Sequence, residues 1–365
     1  MQMETTKKPA KLSKAKLFYE IYKDPDRKPL RQMLTEISHL TFFNKTIPRV
    51  YFSRYLFKKG MGNIENYIPS DHLDRITSFF NEKDISLTLE NKLYFDLYYK
   101  QFNIRLPKTI MYNLKKIFFF GTDSFQLDNG QDFHAVLKDI FNNNPDYDSI
   151  IIKKMYGSYG GYEIYKLSKQ RCEEDAPYVE AIYQDVVRSG FLFQETIIQH
   201  EHVDKLNPSC VNTIRIDTFI DSTGKVDVIS GFIRININDS YLDNITQGGY
   251  GIGINLNAGT LKKYGYCYPK YGIKVLTSHP VTGTVFEGFE IPYFDQVKEL
   301  VINAAKLMPG LRLVGWDVAI EKEGPVLIEG NSTYGANGND FHDGGYRVNK
   351  VYQNVMKEFQ QLSKS

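Results

Sequence analysis

Long apolar runs are missing from this chain. No stretch approaches the roughly 20 residues that a membrane-crossing helix needs, and residues 1–25 lack the apolar core of a secretory signal. Cysteine is scarce: Cys172, Cys210 and Cys267 are odd in number and widely spaced, which gives neither a disulfide framework nor a metal-ligand spacing. That usage predicts a reduced, cytoplasmic setting. A charge excess of one sign is also lacking, since 45 Lys and Arg face 43 Asp and Glu, so a general nucleic-acid role is not indicated. No Ser-His-Asp or Cys-His arrangement offers a covalent nucleophile, and there is no internal repeat or low-complexity linker. Tryptophan occurs once, as Trp316.

What remains is an ordinary globular composition, 42% hydrophobic and 24% charged, in 365 residues, enough for two or three domains around sizeable cores. Basic residues gather near the N-terminus, from Lys7 to Arg31. A solvated helix is the plainer account of them and a membrane-surface contact the sharper one.

Residues 10–85 read as helical. Leu30, Met33, Leu34, Ile37 and Leu40 recur at helical spacing, as do Leu73, Ile76 and Phe80. After residue 86 helices and strands alternate: a helix around Leu89–Gln101, strands Ile117–Phe120 and Ser149–Lys153, a helix through Phe133, Leu137 and Ile140, a helix Tyr178–Ser189 and a strand Phe191–Glu195. The remainder is mostly β (Val211–Ile220, Val226–Asn236, Gly251–Asn255, Leu313–Glu329), with helices at Pro292–Met308 and Tyr346–Leu362.

Four constellations carry chemistry. Gly315-Trp316-Asp317, a short turn and Gly324 to Asn331 read as a hairpin that brings Asp317, Glu329 and Asn331 together. Glu329 and Asn331 share a face because strand side chains alternate. Two carboxylates and an amide oxygen form an all-oxygen set suited to a hard cation such as Mg²⁺, although acids at a hairpin rim are common. Lys153 ends a strand and precedes Gly157-Ser158-Tyr159-Gly160-Gly161, a fixed cation beside flexible amide donors of the kind polyphosphates use. It is not a P-loop, and taken alone a plain hairpin turn is the better account of it. The strand ending at Glu195, followed by Thr196-Ile197-Ile198, could link two lobes and read an adenine edge, although alone a core strand ending in a solvated acid is the plainer account. Arg215 and Arg234, each flanked by isoleucines in successive strands, should project from one sheet face. There they could hold a phosphoryl group or carboxylate, or be surface residues. The loop from Asn244 to Gly249 could bring amide donors to the same place. His200-Glu201-His202 lacks a third ligand at zinc spacing.

In this order the pieces resemble the ATP-grasp superfamily, and within it the sugar-transfer-associated ATP-grasp family. The matching segments are Asn91-Lys92-Leu93, Leu106-Pro107-Lys108-Thr109, Ile151-Ile152-Lys153 with the glycine turn, and Pro208 to Arg215. Asp243-Asn244 with Gly248-Gly249 and the Gly315-to-Asn331 hairpin follow. The resemblance covers roughly residues 50–345. It implies an α+β fold in which two lobes clamp the nucleotide. An N-terminal helical region (1–85) would precede a part carrying the small lobe and its glycine-rich loop (86–195), then a large lobe with the metal site and C-terminal helix (196–365).

It also implies roles. Lys92 and Lys153 would hold the phosphates of ATP, with Gly157, Ser158 and Gly160 closing over them. Glu195 and the Ile197 backbone would bind adenine, and Asn244 would also contact the nucleotide. Arg215 and Arg234 would lie by the γ-phosphate, and Asp317, Glu329 and Asn331 would hold one or two Mg²⁺ ions. The implied activity is ATP-dependent carboxylate–amine ligation through an acylphosphate, in cell-surface polysaccharide synthesis, on small-molecule or sugar-linked substrates and beside a glycosyltransferase partner. Phosphotransfer to a sugar or small molecule, and a non-catalytic nucleotide-binding module, are the alternatives. Two positions depart from relatives: Gly315 stands where D-alanine ligases carry arginine, and Lys154 where many have proline, so Lys153 and Lys154 could exchange roles.

Overall fold

The computed structural model describes residues 11–157, 163–237, 243–335 and 340–364. Its N-terminal part is helical: α1 (Lys14–Lys23), α2 (Leu30–Asn44), α3 (Arg49–Ser53), α4 (Ser70–Phe80), α5 (Lys83–Glu90) and α6 (Lys92–Tyr99). Met33 and Leu40 of α2 are buried with Ile21, Val50, Tyr51 and Tyr55 in a core of their own. Leu30 and Leu34, predicted to share that stripe, face outward instead. The helix has more apolar residues than its buried side can take. The helix expected around Leu89–Gln101 is divided at Asn91, whose Oδ1 accepts from the amides of Leu93 (3.0 Å) and Tyr94 (3.3 Å) and so starts α6 afresh.

The first sheet holds β1 (Thr109–Leu114), β2 (Ile117–Phe120), β3 (Asp123–Gln126), β4 (Ser149–Lys154), β5 (Ile164–Ser168) and β6 (Gly190–Glu195), in the order β3-β2-β1-β6-β4-β5. α7 (Gly130–Asn143), the short α8 (Lys169–Glu174) and α9 (Ala176–Val186) cover one face. Alternation along β4 decides which side chains meet them. Ile150 and Ile152 enter the core with Phe133, Leu137, Ile182 and Phe193, so Ile151 and Lys153 turn to the other face.

After the single turn α10 (Glu201–Asp204), the second sheet holds β7 (Ile214–Ile220), β8 (Val226–Ile235), β9 (Tyr250–Asn255), β10 (Thr260–Tyr266), β11 (Leu313–Glu321) and β12 (Gly324–Asn331). Its order is β10-β9-β8-β7-β11-β12, with every pair antiparallel. α11 (Phe294–Lys306) packs on one face against Val314, Trp316, Val318 and Ile320, while α4 and α12 (Lys350–Leu362) pack near Leu313 and Phe219 on the other. Trp316 is fully buried and its Nε1 donates to Thr218 Oγ1 at 2.9 Å, which joins β11 to β7 through side chains as well as the ladder.

One buried ion pair ties the helical part to the rest. Arg54 Nε donates to Asp340 Oδ2 at 3.0 Å, and Asp340 also accepts from the amides of Ile68 (3.3 Å) and Tyr346 (2.7 Å).

Candidate active site

The hairpin anticipated in the sequence is β11–β12, and its register sets the centre of the site. Asp317 lies opposite Glu329 on one side and Arg215 of β7 on the other, so three ionisable side chains sit in a row across the sheet. Arg215 Nε donates to Asp317 Oδ1 at 2.5 Å, and the Arg234 guanidinium, reaching over from β8, pairs with the same oxygen. Both arginines therefore do project from one face. Burial alone would raise the Asp317 pKa, but the two guanidinium groups outweigh it and hold the carboxyl well below the usual range. Burial likewise acts against the charge on Arg215, and Asp317 more than restores it. On its far side Arg234 is followed by Asp243, whose carboxylate accepts from the Thr213 amide at 2.7 Å and from its hydroxyl.

Asp217, two residues along β7 from Arg215, was not singled out from the sequence. It is fully buried, and its Oδ2 accepts from Tyr346 Oη (2.9 Å) and Ser230 Oγ (3.2 Å). A Cβ on residue 315 would fall 3.0 Å from Asp217 Oδ1 and 3.1 Å from Arg215 Nη1. Glycine is thus what allows the Arg215 guanidinium and the Asp217 carboxylate to meet over this point. The space beside Gly315 is taken by the Arg215 guanidinium from the neighbouring strand. The only sequence signal for Asp217 was its two-residue spacing from Arg215.

Opposite this cluster stand two lysines. Lys153, at the end of β4, is buried, and Lys92 opens α6, whose first amide donates to Met155 O at 2.8 Å. Lys92 Nζ lies 3.9 Å from Glu329 Oε2. Burial, then the neighbouring Lys92, pulls the Lys153 pKa down to about 8, against the smaller pull of Glu329 and Asp96. Lys154 points elsewhere: its Nζ binds the Glu163 carboxylate at 2.8 Å. Of the two, Lys153 is the one that faces the cleft.

A cavity of about 390 Å³ lies between the sheets. Lys92 and Lys153 form one wall with Ile151, Ile164 and Lys166, and Arg234, Asp317, Ile328 and Glu329 form the other. Segment 195–199 closes the back. There Glu195 is tied to the first sheet, its amide donating to Lys108 O (3.0 Å) and its carboxylate accepting from Lys108 N (2.9 Å). The Ile198 amide (3.3 Å to Glu321 Oε1) and the His200 amide (2.8 Å to Ile320 O) reach the second sheet. Ile151, Ile164, Val211 and Ile328 make this end an apolar slot, and Asp204 adds a carboxylate beside it. These five residues were not picked out from sequence, because strand alternation names a face without naming what lies across a gap.

A second cavity of about 490 Å³ shares Lys92, Arg234, Asn244 and Glu329 with the first and extends past Arg215, Asn331, Thr246 and Tyr268. Gly157 lines it, with φ +75°, a conformation that favours glycine. Ser158 and Gly160 lie outside the described residues. Asn244 borders both cavities while its Oδ1 caps the next turn, accepting from Thr246 N at 2.9 Å. Asn331 Nδ2 donates to Gly315 O at 3.3 Å and to Glu329 Oε1 at 3.5 Å. Among the described residues no group of three or more His, Cys, Asp or Glu side chains is placed to hold a metal ion. The histidines have structural partners: His200 Nδ1 accepts from His202 N (3.0 Å), the His202 ring stacks on Phe289 (4.6 Å), and His279 Nε2 contacts Asn236 O (2.9 Å).

The family model described as "Sugar-transfer associated ATP-grasp" matches residues 72–355. The chain belongs to the sugar-transfer-associated ATP-grasp family. That match starts later and ends later than the span expected from motifs, taking in α4 and half of α12. No curated protein sequence matches. Among solved structures, D-alanyl-alanine synthetase A from Vibrio cholerae O1 biovar eltor is similar at 16% identity and TM-score 0.44, over 76% of this chain and 67% of that one. D-cycloserine synthetase DcsG is similar at 10% identity and TM-score 0.45, over 80% and 82%. The Aspergillus clavatus N5-carboxyaminoimidazole synthase, solved with ADP and a ribonucleotide, is similar at 10% identity and TM-score 0.42, and this ATP-grasp chain spans 52% of its length.

Proposed function

We propose that this ATP-grasp protein is a Mg-ATP-dependent carboxylate–amine ligase. The single observation that carries the reading is the cleft itself, with a lysine pair on one wall and an arginine-clamped acid hairpin on the other. A triphosphate laid across it meets Lys92 and Lys153 along its length, and adenine enters the slot between Ile151, Ile164 and Ile328, where the Ile197 backbone and Glu195 border the ring. The glycine turn that begins at Gly157 would close over the phosphates. Asp317, Glu329 and the Asn331 amide supply the hard oxygen donors that Mg²⁺ takes, and bound there it would neutralise charge on the β- and γ-phosphates.

The protein's own groups position and stabilise. A substrate carboxylate in the second cavity attacks the γ-phosphorus, the bond to the β–γ bridging oxygen breaks, and ADP leaves. Arg234 and Arg215 border that point, where negative charge spreads over the transferred oxygens. An amine then attacks the acyl carbon, phosphate departs and the amine loses a proton. Phosphoryl transfer asks for positioning and charge rather than a nucleophilic side chain, which agrees with the absence of any triad in the sequence.

The substrates we propose are sugar acids or small carboxylates with amino partners, in cell-surface polysaccharide assembly beside a glycosyltransferase; the family's description supports that class. ADP release with Mg-ATP, screened over a matrix of sugar acids and amines and followed by mass spectrometry, tests it. An amide product with ADP and phosphate is the expected outcome. A stable phosphorylated product with ADP alone would replace ligation with phosphotransfer.

A further inference from the structure

We infer that the outward face of α2 and the loop after it dock this protein onto an anionic bilayer surface. The inference does not depend on the ligase reading. Met33 and Leu40 fix the buried side of α2, which leaves Leu34, Phe42 and, past the helix end, Ile47 in solvent at 67%, 84% and 77% exposure. Lys45 ends the helix in the left-handed conformation and turns the chain, so that Phe42, Lys45, Ile47 and Arg49 follow one another around the tip. Apolar side chains this open, carried on one helix and the loop after it and set among basic residues, mark an interaction site rather than ordinary surface.

The charges select the partner. Between residues 11 and 59 stand 12 Lys and Arg against 4 Asp and Glu, while the rest of the chain has 33 against 39. The one acid of α2, Glu36, is turned inward, where it accepts from Lys28 Nζ (2.9 Å) and Tyr51 Oη (2.7 Å). Glu65 pairs with His39, so the acid next to the helix has its own partner. The exposed apolar face is thus bordered by cations, the pattern of a helix lying in the headgroup plane of an anionic leaflet. A second copy seated on the same face would bring two positive regions together, which disfavours self-association. No helix among the described residues is long and apolar enough to cross a membrane, so attachment would be to the surface.

Co-sedimentation of the full chain with neutral phosphatidylcholine vesicles, and with vesicles containing phosphatidylglycerol, tests this at low and high salt. The expected result is binding about tenfold or more tighter to the anionic vesicles, weakened by salt. Lys45→Gln with Arg49→Gln should lower it about fivefold per charge removed. Leu34→Ser with Phe42→Ser and Ile47→Ser should abolish it with thermal stability unchanged, since all three side chains are in solvent. Equal binding to both vesicle types, binding to neither, or a dimer that the Phe42→Ser variant dissociates would each overturn the proposal.

Discussion

The two walls of the cleft are built on opposite electrostatic plans. On the second sheet, Asp317 is enclosed by Arg215 and Arg234, and those in turn by Asp217 and Asp243, so each charge already has its counter-charge inside the protein. On the first sheet, Lys153 is buried next to another cation, and burial first, then Lys92, lowers its pKa despite the nearby Glu329 and Asp96. One wall is finished in its arginine–acid lattice before any ligand arrives, with only a metal ion left to join at the more open Glu329; the other is completed by an anion. The comparison explains why a polyphosphate would settle against the lysines while the arginine–acid lattice keeps its shape.

The largest expected break comes from the finished wall. Asp317→Asn should lower kcat/KM by about three orders of magnitude or more. It should also cost about 3–5 kcal/mol in chemical unfolding, because two buried guanidinium groups lose their carboxylate. Glu329→Ala, at the more open position, should abolish turnover and weaken Mg-dependent nucleotide binding with the fold intact; normal ADP production would remove it from the metal set.

Lys153→Met should do the opposite to stability. Nucleotide Kd should rise on the order of a hundredfold, as expected for a lost charge-assisted contact, yet the nucleotide-free protein should melt at a higher temperature. The sign follows from linkage. The folded pKa of about 8 lies below the unfolded lysine value near 10.4, so between these pH values the unfolded chain binds more protons and stability rises with pH. Below pH 8 the buried cation costs at most about 3 kcal/mol, a cost absent in the methionine variant. A melting temperature flat across that window in the nucleotide-free protein would contradict the reading.

Smaller effects sharpen the lattice itself. Gly315→Ala should lower kcat about tenfold with nucleotide affinity kept, because the added methyl group displaces the Arg215 and Asp217 side chains rather than the lysines. Lys154→Ala should change Kd by less than about twofold, as expected of a lysine paired with half-exposed Glu163. A large effect there would exchange the two lysines.

Much of this was legible from residue order. Glu329 and Asn331 had to share a face, and isoleucines on both sides of Arg215 and Arg234 had to send the arginines to the other one. The edge strands β3, β5 and β10 gave little signal because half their side chains meet solvent. Asp217, Asp204 and the isoleucine slot were illegible for a different reason: their partners are far along the chain, as with Ile151 and Ile328, and are joined only by how two sheets face each other. On α2 periodicity misled, since Leu30 and Leu34 keep helical spacing with the core residues yet have no core to enter.

The Arg54–Asp340 contact has a consequence of its own. A single carboxylate holds the end of the third helix, the chain at Ile68 and the turn before Tyr346, joining two early stretches to one that lies 286 and 272 positions further on. Trimming the leading helices would strand that carboxylate in a dry interior and loosen the segment that leads to the final helix. The front of the molecule is therefore not an ornament that can be clipped away.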